Sequence, residues 1–242
     1  LFDLHGVEYP DGSWDHEQYA EAMRRLRLTG AGVPVGLDEP KRSGQWGGML
    51  GVSWERIQVH VNAWGGHLVD PVDRRRSLMC EPEALAAMEW IRARMWDDRA
   101  MASALDVQNL APRQAFISGR VAMVEEDSSA LKEILTGSRF RLGVVPLPRG
   151  PARQATLAST DGFGIYAGTR HPEASWELLR FLISEEYGRV MARAHFLQPA
   201  RASLLGAWMD YVREEFPTRA AELDLLAFAD GHLRGYSVVG EV

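Results

Sequence analysis

Phe116-Ile117-Ser118-Gly119-Arg120-Val121-Ala122-Met123-Val124 is the stretch from which the fold can be read. Pro112, just upstream, suits the first position of a helix, because its missing N–H would have had no partner there. The short helix it opens turns Phe116 inward and closes at Gly119. Val121 to Val124 is then an unbroken apolar run with the length of a buried strand. Downstream, Ser128 to Leu135 has helical character, Phe140 to Val145 returns to strand, and Pro146-Leu147-Pro148 ends it. A Gly/Pro/Arg loop covers 149 to 153. Helix and strand alternating over so short a span predict α/β layers.

Toward the N-terminus, Pro10-Asp11-Gly12 is a turn triplet. Asp15 follows as a helix cap with Gln18 in the reciprocal capping-box position. Tyr19, Ala22, Met23 and Leu26 then form the stripe of a half-buried helix that Gly30 ends. Residues 30 to 53 are rich in Gly, Pro and charge and show no clear period. A second helix is expected over Trp54 to Val61, broken by Asn62-Ala63-Trp64-Gly65-Gly66. Pro82 opens a long helix to about Trp96, with Leu85, Met88, Ile91 and Met95 on its buried face. Toward the C-terminus, Gly162 to Ala167 is strand-like. Pro172 to Ile183 is helical, with Trp176, Leu179 and Ile183 on one face. A further helix runs from Ser184 and fades near His195. Pro199 and Arg201 lie in a loop, and the remainder is helical by composition. There is no internal repeat at solenoid periods and no low-complexity tract.

Hydrophobic residues make up 46% of the 242 positions and charged residues 25%, which is the balance of a chain able to bury a sizeable core. The net charge of −6 supplies no field to attract nucleic acid or an anionic membrane. Apart from Lys41 and Lys132 every basic residue is arginine, a skew that fits the codon bias of a GC-rich genome better than a phosphate-binding device. The single cysteine, Cys80, can neither form an internal disulfide nor complete a metal site alone. No apolar run approaches the roughly 18 residues of a membrane helix. A chain opening on Leu1-Phe2-Asp3 is expected to be truncated, with any signal peptide upstream of it.

The motifs for chemistry are weak. His60 and His67 are the closest histidine pair, but their spacing misses the i, i+4 geometry of one helix face, so no metal is expected. Glu125-Glu126-Asp127 could be imagined as glycosidase carboxylates, but those must face each other about 5–9.5 Å apart across a sugar. Sequence neighbours point different ways, so a solvated turn is the expectation there. Gly162-Phe163-Gly164 lies within a strand-like run and not between strand and helix, which disfavours a dinucleotide site. No nucleophile elbow is present, and no cofactor is implied. What remains is aromatic residues in glycine-rich stretches. Trp46 and Trp64 each adjoin Gly-Gly, and Phe163 lies between glycines. Such rings either stack on the apolar face of a sugar or plug the core.

Several phrases, in order, carry a family resemblance. They are Leu1-Phe2-Asp3-Leu4-His5-Gly6-Val7 with Tyr9-Pro10-Asp11-Gly12-Ser13-Trp14-Asp15, then Ala63-Trp64-Gly65-Gly66 with Leu68-Val69-Asp70, then Phe116 to Met123. Gly143-Val144-Val145-Pro146-Leu147-Pro148, Ser159 to Gly164 with His171-Pro172-Glu173-Ala174-Ser175-Trp176, and Leu197-Gln198-Pro199-Ala200-Arg201 complete the set. Together they resemble the carbohydrate-type, maltose-binding-protein-like solute-binding proteins of bacterial ABC importers. One departure stands out: where that family often places Gly and a sugar-stacking Trp after the Ala-Met strand, this chain has Glu125-Glu126-Asp127-Ser128-Ser129.

The resemblance implies an α/β fold of the type II periplasmic-binding-protein class, two lobes joined by crossing hinge strands, here truncated at both ends. It assigns 1–157 to most of the C-terminal lobe, 158–205 to part of the N-terminal lobe and 206–242 to a return to the C-terminal lobe. The implied function is capture of an extracellular sugar or oligosaccharide for an ABC permease, without catalysis. Trp64 and Phe163 would stack on the ligand, Asn62, Asp161 and Arg201 would hydrogen-bond it, and Gly65, Gly66 and Gly162 would admit close backbone approach. The implied protein is extracellular or periplasmic, lipid-anchored, monomeric at full length, and without nucleic-acid partners. The alternatives are a carbohydrate-active enzyme using Glu125 or Asp127 as acid or base, and a non-functional fragment that exposes its lobe interface.

Overall fold

A computed structural model describes residues 1–35, 43–157 and 162–220. The chain divides into two compact units, each described by itself. Unit 1 takes Leu1–Glu126 and Val145–Leu157, and unit 2 takes Asp127–Val144 and the described residues from 162 onward.

Unit 1 begins with a short helix α1 (Phe2–His5) and the expected α2 (His16–Arg25). The capping box forms as read. Asp15 Oδ1 accepts from the Glu17 and Gln18 amides at 2.9 and 2.8 Å, and Gln18 Oε1 accepts from the Asp15 amide at 3.0 Å. Tyr19, Ala22, Met23 and Leu26 are all buried. Then come β1 (Leu28–Thr29), β2 (Ser43–Met49), α3 (Trp54–Ala63), α4 (Pro82–Arg92), α5 (Pro112–Ile117) and β3 (Val121–Val124). Beyond Arg92 the helical path widens into a π-turn over Ala93–Asp97, which carries it to the predicted Trp96. The buried face of α4 is made by Ala84, Ala87 and Ile91, and Leu85, expected inside, is exposed.

Among the described residues the strands form one three-stranded sheet in the order β1-β2-β3. β1 pairs antiparallel with β2 through Leu28↔Gln45. β2 pairs parallel with β3 through Trp46↔Val121 and Gly48↔Met123. The parallel pairing requires a crossover, and α3, α4 and α5 supply it.

The central strand β2 falls in the stretch that showed no period, and its glycines explain why. A Cβ on Gly47 would lie 1.8 Å from the Met23 carbonyl oxygen, and one on Gly48 would lie 2.5 Å from Met23 Sδ. Helix α2 therefore rests directly on the strand backbone, a close approach only glycine permits. Trp46 beside them is buried in the core, with Arg27 and Arg99 stacked over its ring at 5.5 and 5.7 Å. It is not a ring presented to ligand.

Unit 2 holds α6 (Leu131–Gly137), preceded by a turn of 3-10 helix, then α7 (Pro172–Leu182), α8 (Glu185–His195), α9 (Leu205–Glu215) and α10 (Pro217–Ala220). Helices α7 and α8 match the expectation, and the Ser184 hydroxyl caps α8 by accepting from the Tyr187 amide at 3.2 Å. The core joins α6, α8 and α9 through Leu131, Leu135, Ala192, Phe196, Leu205, Trp208 and Val212. Trp208 is fully buried and donates from Nε1 to the Phe196 carbonyl at 2.9 Å. Phe140 to Val145 and Gly162 to Ala167 are not in a sheet among the described residues. Leu142 and Val144 instead pack onto the helical core. Trp176 and Ile183, expected to share one face of α7, are about half exposed, and no residue of that helix is buried. None of the described helices is long and apolar enough to cross a membrane.

Candidate functional site

The C-terminal turn of α3 holds four of the expected ligand-binding residues. Trp64 caps the helix and is half-buried. The Gly65 amide donates to the Asn62 carbonyl at 3.0 Å, and the Gly66 amide to the Val61 carbonyl at 2.9 Å. Gly65 needs φ of +91°, which side-chain-bearing residues rarely adopt. A Cβ on Gly66 would stand 2.9 Å from Glu83 Cβ at the start of α4. Both glycines thus serve the tight turn and its packing on α4. Asn62 is buried, and its side-chain oxygen accepts from Gln58 Nε2, while Gln58 Oε1 accepts from the Leu68 amide at 3.3 Å. Asn62 braces the loop from inside.

The 146–154 loop straps this turn to α2. The Ala152 and Arg153 amides both donate to the Ala63 carbonyl, at 3.0 and 3.2 Å. The Arg149 amide donates to the Trp14 carbonyl at 2.7 Å, and the His16 amide donates to the Arg149 carbonyl at 3.1 Å.

Behind Trp64 lies a buried polar chain. His16 Nδ1 donates to the Arg149 carbonyl at 3.0 Å, and His16 Nε2 meets His60 Nδ1 at 3.1 Å. His60 Nε2 lies 3.0 Å from Glu125 Oε2. The aromatic rings close around it. Trp64 and Trp90 stand edge-on to His16 with centroids at 4.5 and 4.8 Å, and Trp90 stacks on His60 at 5.6 Å. Burial pushes His16 down to about 4, against the smaller upward pull of the Arg149 carbonyl. Burial also works to raise the Glu125 carboxyl, but His60, His16 and Tyr19 outweigh it and hold the group below its ordinary value. Tyr19 beside it is pushed well above the ordinary phenol, by burial first and then by the Glu125 charge. Glu125 Oε1 has no hydrogen-bond partner.

This corrects the solvated-turn expectation for Glu125-Glu126-Asp127. Glu125 is only 4% exposed. Glu126 Oε2 lies 3.3 Å from Arg56 and 3.5 Å from Arg113, and Asp127 accepts from the Ser129 amide at 2.9 Å. With Glu125 taken up by His60 and Glu126 by two arginines, the run does not present opposed carboxylates to a sugar. The two histidines and the carboxylate lie in sequence, each touching the next, and do not converge. Among the described residues no three His, Cys, Asp or Glu side chains are set to hold a metal ion. Sequence reasoning missed this cluster because its members come from separate elements, His60 being 44 residues from His16 and 65 from Glu125. A lone histidine on an otherwise apolar helix face was the one local signal at His60.

The remaining expected residues belong to unit 2. Phe163 is 53% exposed, its ring 6.5 Å from that of Tyr187, and nothing lies within 4 Å of where a Gly162 Cβ would be. Arg201 donates from Nε and Nη2 to the Ile183 carbonyl at 3.2 and 2.8 Å, securing the end of α7. Asp161 lies outside the described residues.

Comparison with known proteins gives these features a family. Residues 10–189 match the family model of bacterial extracellular solute-binding proteins. No curated protein matches the sequence. Among solved structures, UspC of Mycobacterium tuberculosis is 19% identical with a TM-score of 0.73, over 97% of this chain and 59% of that one. The ABC substrate-binding protein Lmo0181 of Listeria monocytogenes, in complex with cycloalternan, is 17% identical with a TM-score of 0.69, over 92% of this chain and 55% of that one. The maltose/maltodextrin-binding domain MalE of Bdellovibrio bacteriovorus, bound to maltotriose, is 14% identical with a TM-score of 0.69, over 95% and 56%. The chain thus spans a little over half the length of these structures and shares their type II periplasmic-binding-protein fold. It belongs to the bacterial extracellular solute-binding proteins, a family of binding proteins and not of enzymes.

Proposed function

We propose that this chain is part of a receptor that captures a sugar or oligosaccharide outside the cytoplasm and delivers it to an ABC permease. The observation that carries the proposal is Trp64. Its ring is half-buried, edge-on to His16, packed beside Trp90, and set in a tight glycine turn. A fixed aromatic surface still reaching solvent is what stacking on a pyranose face requires. Solved structures of the same fold bound to maltotriose and to cycloalternan support a sugar as the ligand class to test first. Phe163, more exposed than Trp64, would stack as well, with Asp161 and Arg201 as hydrogen-bonding groups. Asn62, Gly65 and Gly66 would act by holding the Trp64 turn.

In the complete receptor residues 1–157 would make most of the C-terminal lobe, 158–205 part of the N-terminal lobe, and 206–242 the return. The core shared by α6, α8 and α9 puts the last boundary to a direct test by limited proteolysis and reassociation of the products. Ligand bridging two lobes would favour a closed form that the permease recognises. The receptor would be lipid-anchored, monomeric and without nucleic-acid partners. Fractionation of cells and the mass of the mature protein test the anchor.

The test of function is a tryptophan-fluorescence titration with maltotriose and maltotetraose, using the polypeptide its gene encodes. A saturable change with the sugar recovered intact supports the receptor. Trp64→Ala should weaken binding by about tenfold or more, in keeping with the loss of one stacked aromatic contact worth about 1–3 kcal/mol. Unchanged affinity in that variant would remove Trp64 from the site.

A further inference from the structure

The hydrogen bonds behind Trp64 have a fixed direction, set at one end by a group that can only accept. The Arg149 carbonyl requires the proton of His16 to sit on Nδ1. A neutral His16 then offers Nε2 as an acceptor, and His60 must donate from Nδ1. One more proton lies between His60 Nε2 and Glu125 Oε2, since neither atom can bond the other without it. The chain therefore holds three protons in total: on His16 Nδ1, on His60 Nδ1, and between His60 and Glu125. With these it is electrically neutral, which suits its burial.

A fourth proton has no good place. On His16 Nε2 it would oppose the His60 Nδ1–H. On Glu125 it would discharge the carboxylate and leave the buried His60 beside it without its counter-charge. Either site leaves a net positive charge walled in by Trp64, Trp90 and Tyr19. The groups facing His16 are His60 from α3, Glu125 beyond β3, Trp90 from α4 and the Arg149 carbonyl, with Asp15 at its own helix cap the nearest further charge. Those facing Glu125 are His60, His16 and Tyr19. None of them compensates an added proton except by ionised Glu125, which His60 already uses.

We infer that the His16–His60–Glu125 chain is a positioning support for Trp64. Loaded with three protons it holds the ring for ligand, and a fourth, added by acid, breaks the His16–His60 contact and releases it. The burial that lowers the affinity of His16 for protons is consistent with this. The inference rests on Trp64 being a ligand-binding ring, and it makes capture weaken in acid.

The experiment has two arms that fail separately. Without ligand, the fluorescence of the wild-type chain minus that of Trp64→Phe reports Trp64 as pH falls from 7 to 3. The expected result is a sigmoidal change in that difference while far-UV circular dichroism is constant, and its loss in His16→Asn. The same titration in His16→Asn, or a change that coincides with loss of circular dichroism, overturns the support. Should His16→Asn not fold, 15N spectra of the wild-type imidazoles decide it. At pH 7 His16 should be the neutral Nδ1–H tautomer, and an Nε2–H tautomer overturns the chain's polarity. In the second arm, maltotriose affinity should fall by at least about fivefold, a typical coupling between two sites, at the same midpoint. A pH-independent affinity with the first arm positive rejects the link from support to capture, whereas a Trp64→Ala that binds normally rejects the ligand site itself.

Discussion

Acid should destabilise unit 1 through His16, by an amount the structure allows to be worked out. In the unfolded chain the imidazole titrates near 6.5, and in the fold burial brings it to about 4. Between those values the unfolded state binds a proton that the folded state refuses. Stability therefore falls as pH drops, and the loss is complete only below the folded value. At pH 7 the penalty is near zero. It reaches about 2 kcal/mol at pH 5 and about 3 kcal/mol at pH 4, because each pH step of one between the two values costs about 1.4 kcal/mol. His16 is 6% exposed, so solvent screening takes little of this away. The lowered Glu125 carboxyl acts in the same direction, since its stabilising charge is lost as pH falls through and below its ordinary range. Urea unfolding at pH 7, 6 and 5 measures the effect, with His16→Asn as the reference that cannot titrate. The wild type should lose about 2 kcal/mol more than the variant between pH 7 and 5. Parallel stability curves for the two proteins would refute the burial argument, whatever their absolute stabilities.

Three other substitutions test the packing. Gly47→Ala would place a methyl 1.8 Å from the Met23 carbonyl oxygen and force α2 off the sheet. It should cost about 3 kcal/mol or more, and a thermal midpoint unchanged from wild type would disprove the close approach. Trp208→Ala in unit 2 removes a fully buried ring and strands the Phe196 carbonyl. A loss of about 3–5 kcal/mol is expected by denaturant unfolding, and less than about 1 kcal/mol would mean that α9 does not seal that core. Asp15→Ala deletes both cap bonds of α2. It should cost about 1 kcal/mol, which Asp15→Asn should largely spare.

The departure after the Ala-Met strand gains a physical meaning. The resemblance leads to the expectation of a stacking tryptophan at the position of Ser129, and the stretch that replaces it begins with Glu125, which goes inward to a histidine. The aromatic ring proposed to meet ligand lies instead at the end of α3, with buried polar groups behind it. The buried carboxylate has a cost, because one oxygen is unpartnered. That cost is consistent with a group kept for what it holds in place.

Local features were decided by sequence alone. The capping box at Asp15 and Gln18, the prolines opening α4, α5 and α7, and the apolar run of β3 each depend on residues within a turn or two of one another. Such signals survive without knowledge of the rest of the chain, and the ordered phrases sufficed to recognise the family. Only the tertiary structure decided β2, whose Gly47 and Gly48 look like loop until α2 is seen lying on them. The inward turn of Asn62 and the core position of Trp46 likewise depend on neighbours far along the chain. So does the linking of His16, His60 and Glu125, which are brought together from α2, α3 and the end of β3 by the sheet and its crossover. Whether a carboxylate meets water or an imidazole is set by what packs against it, and no pattern of adjacent residues encodes that.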